Sequence, residues 1–191
     1  MKPIPFSPPD ISEEEIKEVI EALRSGWITT GPRTKQLEKV IADYCNIPNC
    51  VCLNSQTACA ELALRLLGVG PGDEVIVPAY TYTASCSVIC HVGATPVIID
   101  SQKDCIEMDY EQVANAITER TKVIIPVDVG GVPCDYDKIF EIVESKKHLF
   151  KPSNDIQKAF GRVPVVSRSV AIWSTCDCTH SSSASQNSSF R

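Results

Sequence analysis

The sequence lacks several features that mark specialised classes of protein. Basic residues are not in excess, because 18 lysines and arginines face 24 aspartates and glutamates, for a net charge of −6. A nucleic-acid partner is therefore not expected, since such binding relies on a basic surface. The sequence holds no apolar run of about 18 residues, the length that would span a membrane. The start at Met1 also lacks the apolar core of a secretory signal, so a cytoplasmic location is expected.

Motifs for metals and disulfides are missing as well, although ten cysteines are present. No Cys-x-x-Cys pair occurs, and the three histidines do not fall at zinc-finger spacing. Disulfides are not expected without secretion, and at least eight of the cysteines are predicted to be small buried hydrophobic residues. A thiol-dependent metal site at Cys176, Cys178 and His180 is an alternative, but we predict no metal, because nothing in that low-complexity segment would orient the ligands.

The sequence does contain amphipathic helices that alternate with short apolar strands. Ser12 begins a capping box for the first helix, and the second helix, from about Pro32 to Tyr44, has a predicted buried stripe of Leu37, Val40 and Ile41. Further helices are predicted at about 57–67, 83–92, 109–117 and 135–145, and strands at 50–53, 74–77, 95–99, 122–127 and 162–166. This alternation predicts an α/β fold, in which a parallel sheet is covered by helices on both faces.

Three loops at the carboxyl ends of predicted strands are candidates for ligand binding, because ligands bind at that edge of open α/β sheets. The loop 54–58 offers small polar residues at a helix start, which suits a phosphate or carboxylate but equally suits plain N-capping. The loop 78–83 has two tyrosines that either lie against a planar ligand or pack at the rim. The loop 126–133 has an aspartate and paired glycines that indicate either close approach to a ligand or a simple turn.

The order of these loops and their surroundings resembles a known family, the DegT/DnrJ/StrS sugar-nucleotide aminotransferases. The resemblance covers about residues 3–166 and is carried by the segments Ser25–Pro32, Leu37–Glu38, Asn54–Ala58, Gly70–Pro78, Thr81–Ala84, Gly93–Val97 and Asp128–Asp135. These are pyridoxal-phosphate enzymes of fold type I. The resemblance implies a three-layer sandwich with a mainly parallel sheet, which is an incomplete large domain of the aspartate aminotransferase type.

The resemblance also implies roles for individual residues. The cofactor-binding positions are Ser55, Gln56, Thr57 and Tyr82, with Gln56 and Thr57 at the cofactor phosphate and Tyr82 stacked on the pyridine ring. The positions that meet the sugar-nucleotide substrate are Phe6, Thr29, Thr30 and Gly31. Asp128 stands where many members carry a histidine, and its role is left open.

The reaction implied by the family is a ping-pong transfer with pyridoxal 5'-phosphate as the electron sink. L-Glutamate gives its amino group to the cofactor, which passes it to a nucleotide-linked keto-sugar. Members are typically homodimers, so a homodimer is implied for the full-length protein. The alternatives are a non-catalytic paralogue that binds a nucleotide sugar or the cofactor, and a dehydratase relative.

The sequence departs from the family after residue 166. Family members continue with an Asp-x-Ala-His segment, whose aspartate pairs with the pyridine nitrogen, whereas this chain reads Ser167-Arg168-Ser169-Val170. The lysine that forms the Schiff base is also absent, since no lysine follows Lys158. We therefore assign no catalytic residue and expect the chain to be inactive alone. Residues 1–166 are predicted to be part of the large domain, and 167–191 an atypical Ser/Cys-rich tail that is disordered or frameshifted. A truncated product is the leading hypothesis, and a genuine short paralogue is the alternative.

Overall fold

The computed structural model describes residues 9–170 of the 191-residue chain. Phe6, Cys176, Cys178 and His180 lie outside these residues, so their roles stay predictions. The described residues form two compact units, 9–52 and 53–170.

The six predicted helices begin and end close to their predicted positions, and a seventh, at Asp155–Phe160, was not predicted. They are α1 (Glu13–Arg24), α2 (Pro32–Tyr44), α3 (Gln56–Leu66), α4 (Ala84–His91), α5 (Tyr110–Ala116), α6 (Tyr136–Ser145) and α7 (Asp155–Phe160), with a short 3₁₀ helix at Lys147–Leu149. The strands are β1 (Glu74–Pro78), β2 (Thr95–Ile99), β3 (Thr121–Ile124), β4 (Val127–Val129) and β5 (Arg168–Val170).

The first unit consists of α1, α2 and the segments that flank them. The predicted capping box at Ser12 is confirmed, because Ser12 and Glu15 exchange both reciprocal hydrogen bonds. The prediction that Leu37 and Val40 are buried is wrong, since their exposed fractions are 51% and 57%. Helical periodicity identifies an apolar face, but it does not determine whether another element covers that face.

The predicted strand at 50–53 is not formed. The Cys52 N–H donates to the Glu38 carboxylate at 2.9 Å instead of to a neighbouring strand. Val51 and Leu53 are exposed. A strand requires a partner for its backbone groups, and an apolar run of four residues does not reveal whether that partner is present.

The second unit is built on a parallel sheet with the strand order β2-β1-β3. Successive residues of β1 face opposite sides of this sheet. Val75 and Val77 pack with Leu64 of α3 and Val88 of α4, while Ile76 packs in a second cluster that contains residues of α5 and α6, namely Val113, Ile139 and Val143. Helices therefore cover both faces, and the predicted three-layer α/β fold is confirmed.

Strand pairing continues past the carboxyl end of β3. The predicted strand 122–127 is divided at Pro126 into β3 and β4, because proline has no N–H to donate. Ile124 exchanges backbone hydrogen bonds with Pro164 and Val166, and β5 then pairs in parallel with β4. Residues 168–170 therefore pair as a strand beyond residue 166, where the end of the large-domain part was predicted. That domain boundary stays a prediction.

The prediction that most cysteines are buried is wrong for the described residues. Among the eight cysteines they include, Cys134 alone is buried, and Cys45, Cys59 and Cys90 are exposed. Cysteine is small enough to occupy the solvent face of a helix at little cost, so its position within an apolar run is a weak indicator of burial. No helix within residues 9–170 has the length and apolar character needed to cross a membrane.

Candidate functional site

The amino end of α3 holds three of the predicted cofactor-binding residues. Ser55 is the N-cap in an extended conformation, and its hydroxyl accepts a hydrogen bond from the Ala58 N–H at 3.1 Å. Gln56 and Thr57 are the first two helical residues. The predicted N-capping is therefore present, and the end of the helix also carries the partial positive charge that favours anions.

The loop after β1 brings a second group of polar residues to the same unit. Tyr80 and Tyr82 have exposed fractions of 57% and 70%, so neither ring packs in the interior. Two residues beside them hold the loop to α4, because the hydroxyls of Thr81 and Ser85 are hydrogen-bonded at 2.7 Å. Ser85 is fully buried. Tyr82 therefore lies at the surface, in a loop that the Thr81–Ser85 hydrogen bond holds to α4.

Arg168 of β5 connects these two loops. Its Nη1 donates to the Ser85 hydroxyl at 2.6 Å, and its Nε donates to Oε1 of Gln56 at 3.2 Å. The side chain is almost completely buried, with an exposed fraction of 4%. Burial lowers the pKa of the Arg168 guanidinium. A continuous series of hydrogen bonds therefore joins the Tyr82 loop to the amino end of α3 through a buried cation.

The third loop is closed on itself by Asp128. The Asp128 carboxylate accepts hydrogen bonds from the Cys134 N–H at 3.0 Å and from the Tyr136 hydroxyl at 2.9 and 3.0 Å. Gly130 and Gly131 have φ angles of 63° and 81°, in the left-handed region that glycine tolerates. Burial, followed by the nearby Asp128 carboxylate, raises the pKa of Tyr136. These contacts favour the interpretation of loop 126–133 as a simple turn rather than as a site of ligand contact.

The predicted substrate-binding residues Thr29, Thr30 and Gly31 lie in the first unit, between α1 and α2. Thr29 and Thr30 are exposed, and the Trp27 indole Nε1 donates to the Thr30 carbonyl at 3.1 Å. A Cβ at Gly31 would lie 2.0 Å from Trp27 Nε1. Glycine at this position therefore gives room for the indole, and the substrate contact stays a prediction.

Two residues of the site were not predicted from the sequence. Ser85 is an ordinary helical serine in the sequence and gives no signal. Arg168 does give one, because a single arginine follows the valines 163, 165 and 166 in a segment that otherwise reads as a buried strand. Within residues 9–170, no cluster of metal-ligating side chains is found.

The site fits one end of pyridoxal phosphate better than the other. A phosphate matches the amino end of α3, where Ser55, Gln56 and Thr57 lie. Arg168 adds a cation beside Gln56, at the same phosphate end. The protonated pyridine nitrogen would need a nearby carboxylate, and none of the site residues Ser55, Gln56, Thr57, Tyr82, Ser85 and Arg168 is one. The phosphate end is therefore consistent with the cofactor, and the pyridine end is not assigned a partner.

Comparisons with known proteins agree with this fold. A profile of the DegT/DnrJ/EryC1/StrS aminotransferase family matches residues 9–162. The spore coat polysaccharide biosynthesis protein SpsC of Bacillus subtilis (strain 168) is 42% identical over 142 residues, which cover 74% of this chain and 36% of SpsC.

Solved structures show the same relation. Spr1654 from Streptococcus pneumoniae, to which a sugar aminotransferase activity is ascribed, superposes in its PMP form with a TM-score of 0.84 at 63% identity, over 86% of this chain and 41% of that chain. DesV from S. venezuelae superposes with a TM-score of 0.64 at 37% identity, over 72% of this chain and 38% of that chain.

The chain thus spans about two fifths of the length of these relatives. The superpositions confirm the predicted fold, because the three-layer unit corresponds to part of the fold type I aminotransferases. Structures of Spr1654 in PLP and PMP forms are among the matches, so pyridoxal 5'-phosphate is the cofactor that the family implies. By its sequence profile and its fold, the chain belongs to the DegT/DnrJ/EryC1/StrS aminotransferase family.

Proposed function

We propose that the protein derives from a pyridoxal-phosphate-dependent sugar aminotransferase with L-glutamate as amino donor and a nucleotide-linked keto-sugar as acceptor. The observation that carries the proposal is the arrangement of Ser55, Gln56 and Thr57 at the amino end of α3, with Tyr82 exposed in the loop after β1. The family membership supports the same reaction class. The full-length protein is proposed to be a homodimer, as its family implies.

Each predicted residue has a part in this proposal. Gln56 and Thr57, with the amino end of α3, hold the cofactor phosphate, and Ser55 fixes the start of that helix. Tyr82 lies against the cofactor ring, for which its exposed position is suited. Pyridoxal phosphate, when bound, supplies the electron sink for amino transfer. Thr29, Thr30, Gly31 and Phe6 are proposed to contact the sugar nucleotide.

The 191 residues by themselves are proposed to bind the cofactor without turnover. Where family members continue with an Asp-x-Ala-His segment, this chain reads Ser167-Arg168-Ser169-Val170, so an arginine stands in the segment where the resemblance would place the carboxylate for the pyridine nitrogen. The non-catalytic binding role, which was the alternative from sequence, is favoured for this chain by that arginine.

The test of cofactor binding compares pyridoxal 5'-phosphate with pyridoxal, which lacks the phosphate. We expect the phosphorylated compound to bind at least tenfold more tightly to the purified chain, by absorbance or fluorescence titration, because charge-assisted hydrogen bonds hold the phosphate. Replacement of Thr57 by Ala is expected to reduce this preference. Thr95→Ala, at the exposed first residue of β2, is the matched control. Equal binding of the two compounds would exclude a phosphate site.

A further inference from the structure

Arg168 is a buried cation whose charge is not neutralised within the described residues. Its exposed fraction is 4%, and its hydrogen-bond partners are two neutral groups, the Ser85 hydroxyl and the Gln56 side-chain carbonyl. Within residues 9–170, no carboxylate forms an ion pair with it, and burial alone accounts for the lowered pKa of its guanidinium. Arginine nevertheless stays protonated in proteins.

A buried charge without a counter-charge is costly, because the desolvation of the ion is not offset by an attraction. Proteins usually pair such a group with an opposite charge or place it where an ion binds. Since no described side chain supplies the opposite charge, the arrangement favours an anion from solution.

The guanidinium retains donors for such an anion. Nε and Nη1 each donate to one described residue, and Nη2 makes no hydrogen bond within residues 9–170. Yet no buried side-chain nitrogen or oxygen of the described residues is left without a partner. Nη2 therefore keeps some exposure to solvent.

The position of the guanidinium adds a second source of positive potential. Gln56, which accepts from Nε, is the first residue of α3, and α3 has 11 residues. The amino end of a helix carries partial positive charge and backbone N–H groups. A guanidinium beside this end combines a fixed cation with directed donors, which suits a tetrahedral oxyanion.

We propose that Arg168 is a binding residue for a phosphate group, either inorganic phosphate or a phosphate monoester, held between its guanidinium and the amino end of α3. The inference rests on the proposed function only where the monoester is the cofactor. For inorganic phosphate, it depends on Arg168 and α3 alone.

The test is the thermal unfolding of the 191-residue chain in phosphate and in chloride at matched ionic strength. We expect phosphate to raise the midpoint of the unmodified chain, because an anion that binds the folded state stabilises it. Arg168→Met is expected to raise the dissociation constant for phosphate roughly tenfold or more. The same variant in chloride is expected to unfold at an equal or higher midpoint, since an unneutralised buried charge has been removed.

Two further variants keep the test decisive. Arg168→Lys retains the charge but loses the planar fork, so we expect phosphate binding that is weaker than in the unmodified chain but stronger than in Arg168→Met. Arg65→Met removes an arginine that is already paired with Glu61 on the surface of α3, and we expect it to leave the phosphate effect unchanged. If Arg168→Met does not fold, a phosphate effect as large in Arg168→Lys as in the unmodified chain contradicts the proposal.

Inorganic phosphate and pyridoxal 5'-phosphate distinguish this inference from the proposed function. Phosphate stabilisation that depends on Arg168, without any binding of pyridoxal 5'-phosphate, supports the inference and contradicts the cofactor site. Binding of pyridoxal 5'-phosphate in preference to pyridoxal that is unchanged in Arg168→Met supports the cofactor site and overturns the inference. A phosphate effect no larger than that of chloride in the unmodified chain also overturns it.

Discussion

At the scale of single residues, the environment of a side chain decides chemistry that its identity leaves open. Arg168 and Cys134 are both buried, but their surroundings differ. The arginine has no counter-charge among the described residues, whereas the Cys134 thiol donates to the Val127 carbonyl at 3.3 Å. Burial, with the nearby charges of Asp128 and Glu107, raises the pKa of Cys134 to about 12.

The raised pKa of Cys134 predicts a protected thiol. Its thiolate fraction near pH 8 is expected to be roughly a thousandfold lower than that of an ordinary cysteine, and thiolate is the reactive form. In iodoacetamide labelling followed by peptide mass spectrometry, Cys45, Cys59 and Cys90, which are exposed, should react while Cys134 does not. Labelling of Cys134 in urea provides the control.

The raised pKa of Cys134 also predicts how the stability of the folded chain depends on pH. Because the pKa of Cys134 is higher in the folded chain than the usual value of 9.0, its contribution is complete below about pH 9 and is lost as the pH rises towards 12. Reaction of native Cys134 at the rate of Cys59 at pH 8 would show that the thiol is not buried as described.

At the scale of elements, hydrogen-bonded turns position the strand ends and helix starts. The Asp128 turn is an example, because one carboxylate satisfies the Cys134 N–H and the Tyr136 hydroxyl across the two glycines. The carboxylate therefore joins the end of β4 to the start of α6.

Replacement of Asp128 by Ala is expected to lower the free energy of unfolding by about 1–3 kcal/mol, because the partly buried donors lose their acceptor. Asp128→Asn retains one acceptor oxygen and should lose less. Urea denaturation followed by circular dichroism measures both. An Asp128→Ala variant as stable as the unmodified chain would mean that the turn does not depend on the carboxylate.

The elements also show what the sequence reveals and what it conceals. Local signals such as the Ser12 capping box predict helix starts within one or two residues, because they act within one turn. The strand at 50–53 could not be judged in this way, because a strand forms only with a partner distant in sequence. Arg168 was missed for the same reason, since its contacts with Gln56 and Ser85 span 112 and 83 positions.

At the scale of the whole molecule, the second unit has a core on both faces of its sheet, whereas the helices of the first unit expose apolar residues. In α1, Val19 and Leu23 have exposed fractions of 59% and 63%. The residue types of the predicted cofactor site could be recognised from the resemblance, and the fold agrees with the family. Their roles depend on a ligand, and a sequence cannot show how a ligand is held.

The central claim is that the 191 residues keep the phosphate end of the cofactor site without the chemistry of amino transfer. The most direct measurement mixes the purified chain with pyridoxal 5'-phosphate and L-glutamate and follows the formation of 2-oxoglutarate. The account predicts phosphate-dependent cofactor binding, no 2-oxoglutarate above the protein-free rate, and no stoichiometric adduct at one specific lysine after borohydride reduction. Glutamate-dependent turnover by the chain alone, or borohydride trapping of the cofactor at a single lysine, would contradict it.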